Sequence, residues 1–246
     1  MKLKQKFKKL ATFFYYSLLR NRDSKILFYH DVFSHTSYTK MATSINMFKK
    51  HISLINDNGF ELVKNIELAK NQILIQFDDG YRGIYDNLDF FLKNNIYVQV
   101  FIITSRIGQN GYLSKSEIYE MHKSGNFMVS SHTHNHRDLS SLKDVSVIKE
   151  AKISKEILED IISENVHDIC YPRGHFNYRV IELLQSQGYN KQFSSLPGSY
   201  FKRIKLIDNV YRRNLVQDDN VVNFKHSLYG AQELLFTNRL KKQYNK

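Results

Sequence analysis

The stretch LIQFDDGYR, residues 74–82, ends an apolar run on two adjacent carboxylates, Asp78 and Asp79, followed by Gly80. Neighbouring like charges repel, so a pair of them at a strand end points to a cation to hold or a chemical task. A second group lies in SHTHNH, residues 131–136, where His132 and His136 stand four apart. One helical turn or a tight loop brings two imidazoles at that spacing to one side. Two histidines and one carboxylate hold a divalent metal such as Zn²⁺ and leave a coordination position open. A hydrolytic site of this kind needs one carboxylate to ligate and one to accept the proton of the attacking water. The pair alone does not say which aspartate does which. Gly80 lets the backbone turn sharply and approach a ligand. A competing reading makes Asp-Asp-Gly the cap of the following helix. A two-carboxylate glycosidase is disfavoured, because its carboxyls must flank the substrate several ångströms apart.

Hydrolysis of an amide or ester also needs a proton donor for the leaving group. KILFYH, residues 25–30, ends in His30 at another strand mouth, where an imidazole serves as general acid near neutral pH. Taken alone, His30 reads equally as a satisfied surface or core histidine. A fourth strand end reads Tyr171-Pro172-Arg173-Gly174. Proline stiffens this loop, whose backbone N–H groups can face a developing oxyanion, and Arg173 can pair with an aspartate and orient it. An ordinary turn is the plain alternative. Thr133 and His134 read as loop residues rather than ligands.

These residues need a scaffold that gathers strand ends. Residues 25–30, 73–77, 97–104, 126–131 and 167–171 read as strands. Residues 46–58, 81–94, 114–124, 144–163 and 176–187 carry helical periodicity, with Val145, Ile148, Leu158, Ile161 and Ile162 sharing much of one face of the fourth. DNGF (57–60), KSGN (123–126) and SQGY (186–189) each place a glycine between a helix and the next strand, where a left-handed residue ends the helix. Repeated αβ joints predict a mostly parallel sheet, and seven or eight such units predict an α/β fold of (β/α) barrel type, with catalytic groups at the carboxyl ends of the strands.

The chain has 246 residues, 42% of them hydrophobic, two prolines and no visible linker, which fits one folded domain. A single cysteine excludes an internal disulfide framework. The net charge of +12 favours anionic partners, a membrane surface or an acidic polymer. Residues 1–22 hold seven basic residues and no acid, and Leu3, Phe7, Leu10, Phe14 and Leu18 fall at helical spacing. They form a basic amphipathic segment, too short in its apolar run to span a bilayer and without a small-x-small cleavage site. A peripheral contact with anionic membrane is the reading taken, a helix packed on residues 23–246 its alternative. The expected location is membrane-associated or cytoplasmic, with export still open. No nucleic-acid motif accompanies the charge, and no G-x-S-x-G marks a serine hydrolase.

QFDDGY, SHTHNHRDLSSL and YPRG together resemble, in order and spacing, the motifs of the polysaccharide deacetylases, the NodB-homology carbohydrate esterases. The resemblance runs from about residue 25 to about 215. It implies a distorted (β/α) barrel, a divalent metal (Zn, with Co or Ni as alternatives) held by Asp79, His132 and His136, and Asp78 as catalytic base. The family's acid histidine usually comes last in the chain. Here Leu27-Phe28-Tyr29-His30 comes first, as in the circularly permuted branch that deacetylates poly-N-acetylglucosamine-type glycans. Phe48, Ile52, Ile55, Gly59 and Phe60 resemble that branch's first helix, and Arg213 its late arginine bordering the pocket. Gln76 replaces the family's threonine, Arg137 its proline, and Arg173 its tyrosine, so in the substrate and oxyanion loop of Tyr171, Pro172 and Arg173 only the Arg173 backbone N–H could serve the oxyanion. The implied activity is removal of N-acetyl groups from N-acetylhexosamine residues of an exopolysaccharide, capsule or O-antigen. A catalytically weak barrel that binds glycan is the alternative.

Overall fold

The computed structural model describes residues 21–202, 209–217 and 220–233. The predicted amphipathic helix of the first 22 residues therefore lies outside the described residues, apart from its last two. Arg22 folds onto the domain, donating to the carbonyls of Asn58 (2.8 Å) and Gly59 (2.8 Å). Among the described residues, no helix is long and apolar enough to cross a membrane.

Strands β1 (Lys25–Tyr29), β2 (Asp31–Phe33) and β3 (Ala42–Ser44) precede helix α1 (Ile45–Asp57). Then follow β4 (Glu61–Leu62), β5 (Gln72–Phe77), the short helices α2 (Gly83–Asp86) and α3 (Leu88–Lys93), β6 (Val98–Ile102), α4 (Lys115–Lys123) and β7 (Phe127–Ser131). The chain continues through α5 (Asp144–Ile162), β8 (Asp168–Cys170), α6 (Tyr178–Ser186), β9 (Lys191–Phe193), β10 (Val210–Tyr211), β11 (Asn214–Leu215) and α7 (Val221–Leu228). The main sheet runs β10-β9-β8-β7-β6-β5-β1-β11, every pair parallel, with β4 alongside the start of β5. β10 and β11 are one stretch of chain. Its first half pairs with β9 and its second with β1, so residues 210–215 join the two edges of a curled sheet. This is the distorted (β/α) barrel that the strand ends require.

Strand alternation sorts the side chains into two cores. Ile26, Leu74, Phe101, Cys170 and Phe193, one from each of five strands, meet in a small cluster inside the curl. Their neighbours, such as Leu27, Ile75, Val100 and Ile169, enter the larger core beneath the helices. The inward stripe continues past the strand ends, putting His30, Asp78 and His132 at one mouth. Ser44 caps α1 by accepting from the Met47 N–H, and Phe48, Ile52 and Ile55 bury its core face. Gly59, Gly125 and Gly188 follow their helices at φ +70°, +77° and +80°, the left-handed stop the three junctions predict.

Two expectations change. The helix predicted over 81–94 is broken at Asn87, whose side chain donates to the Gly83 carbonyl and competes with the helical ladder. Val145 is 79% exposed, and the buried stripe of α5 runs instead through Val147, Ala151, Ser154, Leu158 and Ile161. The stripe starts there because α5 begins at Asp144, which leaves Val145 in its outward-facing first turn.

Candidate active site

A cleft of about 350 Å³ opens at the carboxyl ends of the strands, walled by His30, Asp78, Asp79, His132 and His136 among others. Asp78 and Asp79 do not cap the next helix, which begins five residues beyond Asp78. Asp78 continues the inward stripe of β5. Asp79 turns into the same cleft because its backbone is left-handed, φ 73°. Thr133 (φ 65°) and His136 (φ 55°) share that conformation, which non-glycine residues adopt only where surrounding structure holds them.

The SHTHNH loop is held from three directions. His132 N–H donates to Ile102 O (2.9 Å), Ser105 N–H to His134 O (2.9 Å), and His136 N–H to Thr133 Oγ1 (3.1 Å). From α5, the buried Glu150 carboxylate accepts from both the backbone N–H (2.6 Å) and the side-chain amide (2.9 Å) of Asn135. Glu150 was invisible as a site residue in the sequence. Its only signal is an acid at a position that the helical periodicity buries.

His132 Nδ1 lies 2.9 Å from the Cys170 carbonyl and must donate to it, which leaves Nε2 as the ring atom facing Asp79. That atom is 3.4 Å from Asp79 Oδ1, and His136 Nε2 is 3.6 Å from the same oxygen. Two atoms each about 2.1 Å from one ion at a tetrahedral angle sit about 3.4 Å apart. The three groups therefore fit a divalent metal, with the cleft on the remaining side. Burial raises the Asp79 carboxyl, but the opposing pull of His132, His30 and His136 is stronger and holds it at about 2. Burial lowers His136 to about 4, with His132 adding to the effect, so its ring is neutral and ligand-competent at neutral pH.

Asp78 belongs to a different network. Arg213 grips it with two parallel bonds, Nη1 to Oδ1 at 2.6 Å and Nη2 to Oδ2 at 2.9 Å. The same guanidinium donates from Nε to Ser194 O (2.9 Å) and reaches Gln76 Oε1 (3.3 Å), and lies against the Phe28 ring. Gln76 passes the network on to Gln99 (2.7 Å), and Gln99 to Ser130 (2.8 Å) and Asp168 (2.8 Å). Burial alone would raise the Asp78 carboxyl, but the Arg213 charge, helped by His132, keeps it below the usual carboxylate range. Arg213 was expected to border the pocket. It is instead fully buried beneath Asp78, because it is an inward residue at the seam between β10 and β11. The pairing of an arginine with an aspartate, expected of Arg173, is made by Arg213.

Of the loop residues, Arg173 lines the cleft, left-handed at φ 59°. Pro172 is buried within the turn. Tyr171 reaches the cleft wall, but its ring stacks on Phe176 (centroids 4.8 Å apart) and its hydroxyl donates to Gln192, so the phenol serves packing. His30 stands at the cleft, its Nδ1 buried and unpartnered among the described residues. Burial lowers its pKa, against the raising influence of Asp78 and Asp79. Met41, Ser195, Leu215 and Gln232 complete much of the wall. No motif announced these four, since they come from two loops, from β11 and from a helical turn at Gln232 that the tertiary fold brings together.

The chain is similar to known proteins. A putative polysaccharide deacetylase, YxkH, of Bacillus subtilis (strain 168) is 26% identical over 185 residues, covering 71% of this chain and 65% of that protein. A poly-beta-1,6-N-acetyl-D-glucosamine N-deacetylase of Staphylococcus aureus (strain MRSA252) is 28% identical over 170 residues, covering 60% of this chain and 59% of the relative. The chain thus spans less than two thirds of the length of these curated relatives. Among solved structures, the polysaccharide deacetylase BC0361 from Bacillus cereus superposes with a TM-score of 0.72 at 26% identity, over 84% of this chain and 69% of that one. Residues 65–191, just over half of the sequence, match the polysaccharide deacetylase family, and this range holds Asp78, Asp79, His132, His136 and Arg173. With the barrel and the strand-end cluster on the same residues, the chain belongs to the polysaccharide deacetylase family.

Proposed function

We propose that this protein is a metal-dependent N-deacetylase that hydrolyses acetamido groups on N-acetylhexosamine residues of a bacterial-type envelope glycan. The observation that carries this reading is the separation of the two aspartates. Asp79 faces His132 and His136, whereas Asp78 beside it is gripped by Arg213 through both of its oxygens. One carboxylate is thus available to ligate and the other to move a proton. Asp79, His132 and His136 would hold a divalent ion, which when bound supplies Lewis-acid polarisation of the acetyl carbonyl and of water.

The chain's own residues do the rest. The bidentate Arg213 contact fixes the Asp78 carboxylate in one orientation and keeps it ionised, ready to take the proton of an attacking water. The turn at Pro172–Gly174 sets Arg173 in the cleft wall, where its backbone N–H would serve a developing oxyanion. His30, across the cleft mouth, delivers a proton to the departing amine as the C–N bond breaks. Water adds its oxygen to the acetyl carbon, and acetate and the free amino sugar leave.

Acetate release from a panel of N-acetylglucosamine oligomers and polymers, with and without chelator, tests the reading. The expected result is release that stops with chelator and resumes on adding Zn²⁺. In Asp78→Asn, turnover falls at least about a hundredfold with metal content unchanged. Equal turnover by metal-free protein, or full activity in Asp78→Asn, overturns the mechanism. Glycan binding with no acetate released from any member would leave a binding protein built on the barrel.

A further inference from the structure

Among the described residues, the cleft carries one arginine that the hydrolytic chemistry does not consume. Arg173 lines it and is exposed. Its backbone is fixed. Gly174 N–H donates to Tyr171 O (2.9 Å), and a Cβ on Gly174 would lie 2.8 Å from the Ser195 backbone nitrogen, so the turn is packed against the following segment. The carboxylates nearby are already engaged. Asp78 is paired with Arg213, Asp79 faces the two histidines, and Asp138 sits 2.7 Å from His175 Nδ1. Among the described residues no carboxylate pairs with Arg173. A free arginine on an open surface is satisfied by water. A sugar lying in this cleft displaces that water, and the guanidinium then needs acceptors from the substrate. Single hydroxyls satisfy one N–H each, whereas a carboxylate or phosphate takes two in the planar fork.

We infer that Arg173 is a specificity residue for an anionic glycan, one that carries a carboxylate or phosphate next to the N-acetylhexosamine whose acetyl group is removed. The inference rests on the deacetylase reading of the same cleft. Because the turn is rigid, the backbone that carries the guanidinium is already in place, and only the side chain has to be ordered on binding. The net charge of +12 adds attraction at long range, and Arg173 supplies recognition at the reacting sugar.

The test compares kcat/KM for acetate release by the metal-loaded protein on three size-matched oligomers at low salt. One is neutral N-acetylglucosamine, one alternates N-acetylglucosamine with glucuronate, and one has its N-acetylglucosamine units joined by phosphodiesters. The wild-type protein should favour at least one anionic oligomer by about tenfold, mainly through KM, and raising salt should shrink the preference. Whichever anionic arm is favoured identifies the source of the charge. Arg173→Gln should lower kcat/KM on that oligomer about tenfold more than on the neutral one, and Arg173→Lys should lie between. Lys93→Gln, a distant exposed site, removes the same charge and should keep the preference. Absence of any anionic preference in the wild type, or its persistence in Arg173→Gln, overturns the inference. Should no oligomer release acetate, the deacetylase reading fails and calorimetric binding of the same oligomers decides. Tighter binding of an anionic oligomer that Arg173→Gln abolishes supports Arg173 as an anion-reading residue, and equal or undetectable binding overturns it.

Discussion

Arg213 and Asp78, 135 residues apart in the chain, form a bidentate ion pair with neither side chain more than 5% exposed. The pair explains how a carboxylate stays ionised in the floor of a protein cleft. Burial by itself would protonate it, and the guanidinium reverses that preference. It also sets the first prediction. Arg213→Gln strips the counter-charge from a buried carboxylate, which should cost about 3 to 5 kcal/mol of stability at neutral pH. In the wild type the depressed Asp78 pKa contributes stability above the ordinary carboxylate value, and that contribution is lost as pH falls through the depressed one. In Arg213→Gln the Asp78 pKa rises, so the acid limb of the rate profile should move to higher pH. Thermal melts and a pH–rate profile check both, and an unshifted acid limb would show that Asp78 does not depend on Arg213.

Removing a member of the triad should abolish metal stabilisation without unfolding the protein. At a Zn²⁺ concentration about a hundred times Kd, the wild type should gain about 2.7 kcal/mol over the metal-free protein. His136→Ala and Asp79→Asn should lose most of that gain, while His134→Ala, whose Nδ1 bonds to Thr104 instead, should keep it. Differential scanning calorimetry with and without Zn²⁺ separates these outcomes. Equal stabilisation in His136→Ala would place the ion elsewhere.

Glu150 offers a way to perturb the metal loop without touching a ligand. Glu150→Ala leaves both Asn135 donors without their acceptor, which should cost about 1 to 3 kcal/mol. Because Asn135 immediately precedes His136, Zn²⁺ affinity should fall about 10- to 100-fold. A competition titration with a zinc chelator measures it. Unchanged affinity would mean the loop holds its shape without the clamp.

Asp31, next to His30 but buried on the opposite side of the chain, gives a stability signature of the other sign. Burial pushes its carboxyl up to about 7. The folded state therefore holds this proton more tightly than the unfolded chain. The associated stability is fully present below about pH 4 and is lost as pH rises toward 7. Asp31→Asn removes that dependence. Relative to the wild type it should gain roughly 1 to 4 kcal/mol between pH 4 and pH 8. Denaturant unfolding at the two pH values reads the difference, and a constant offset would assign Asp31 an ordinary pKa.

Residue type and local spacing carried the chemistry of this protein a long way. The paired aspartates, the histidines four apart, the strand-end His30 and the three glycine junctions are all local patterns, fixed by the two-residue period of a strand and the left-handed end of a helix. Those periods are enough to predict parallel αβ units and to aim Asp78, His132 and His30 toward one mouth. Only the curled sheet, its two edges joined by one stretch of chain, decided who stands next to whom. The stretch 210–215 reaches both edge strands at once, which carries Arg213 under Asp78 rather than to the rim. Packing of α5 on β7 brings Glu150 to Asn135, and segments distant in sequence supply Met41, Ser195 and Gln232 to the wall. These are contacts between segments far apart in the chain. They depend on how the sheet curls and where its edges meet, and no short-range period encodes either.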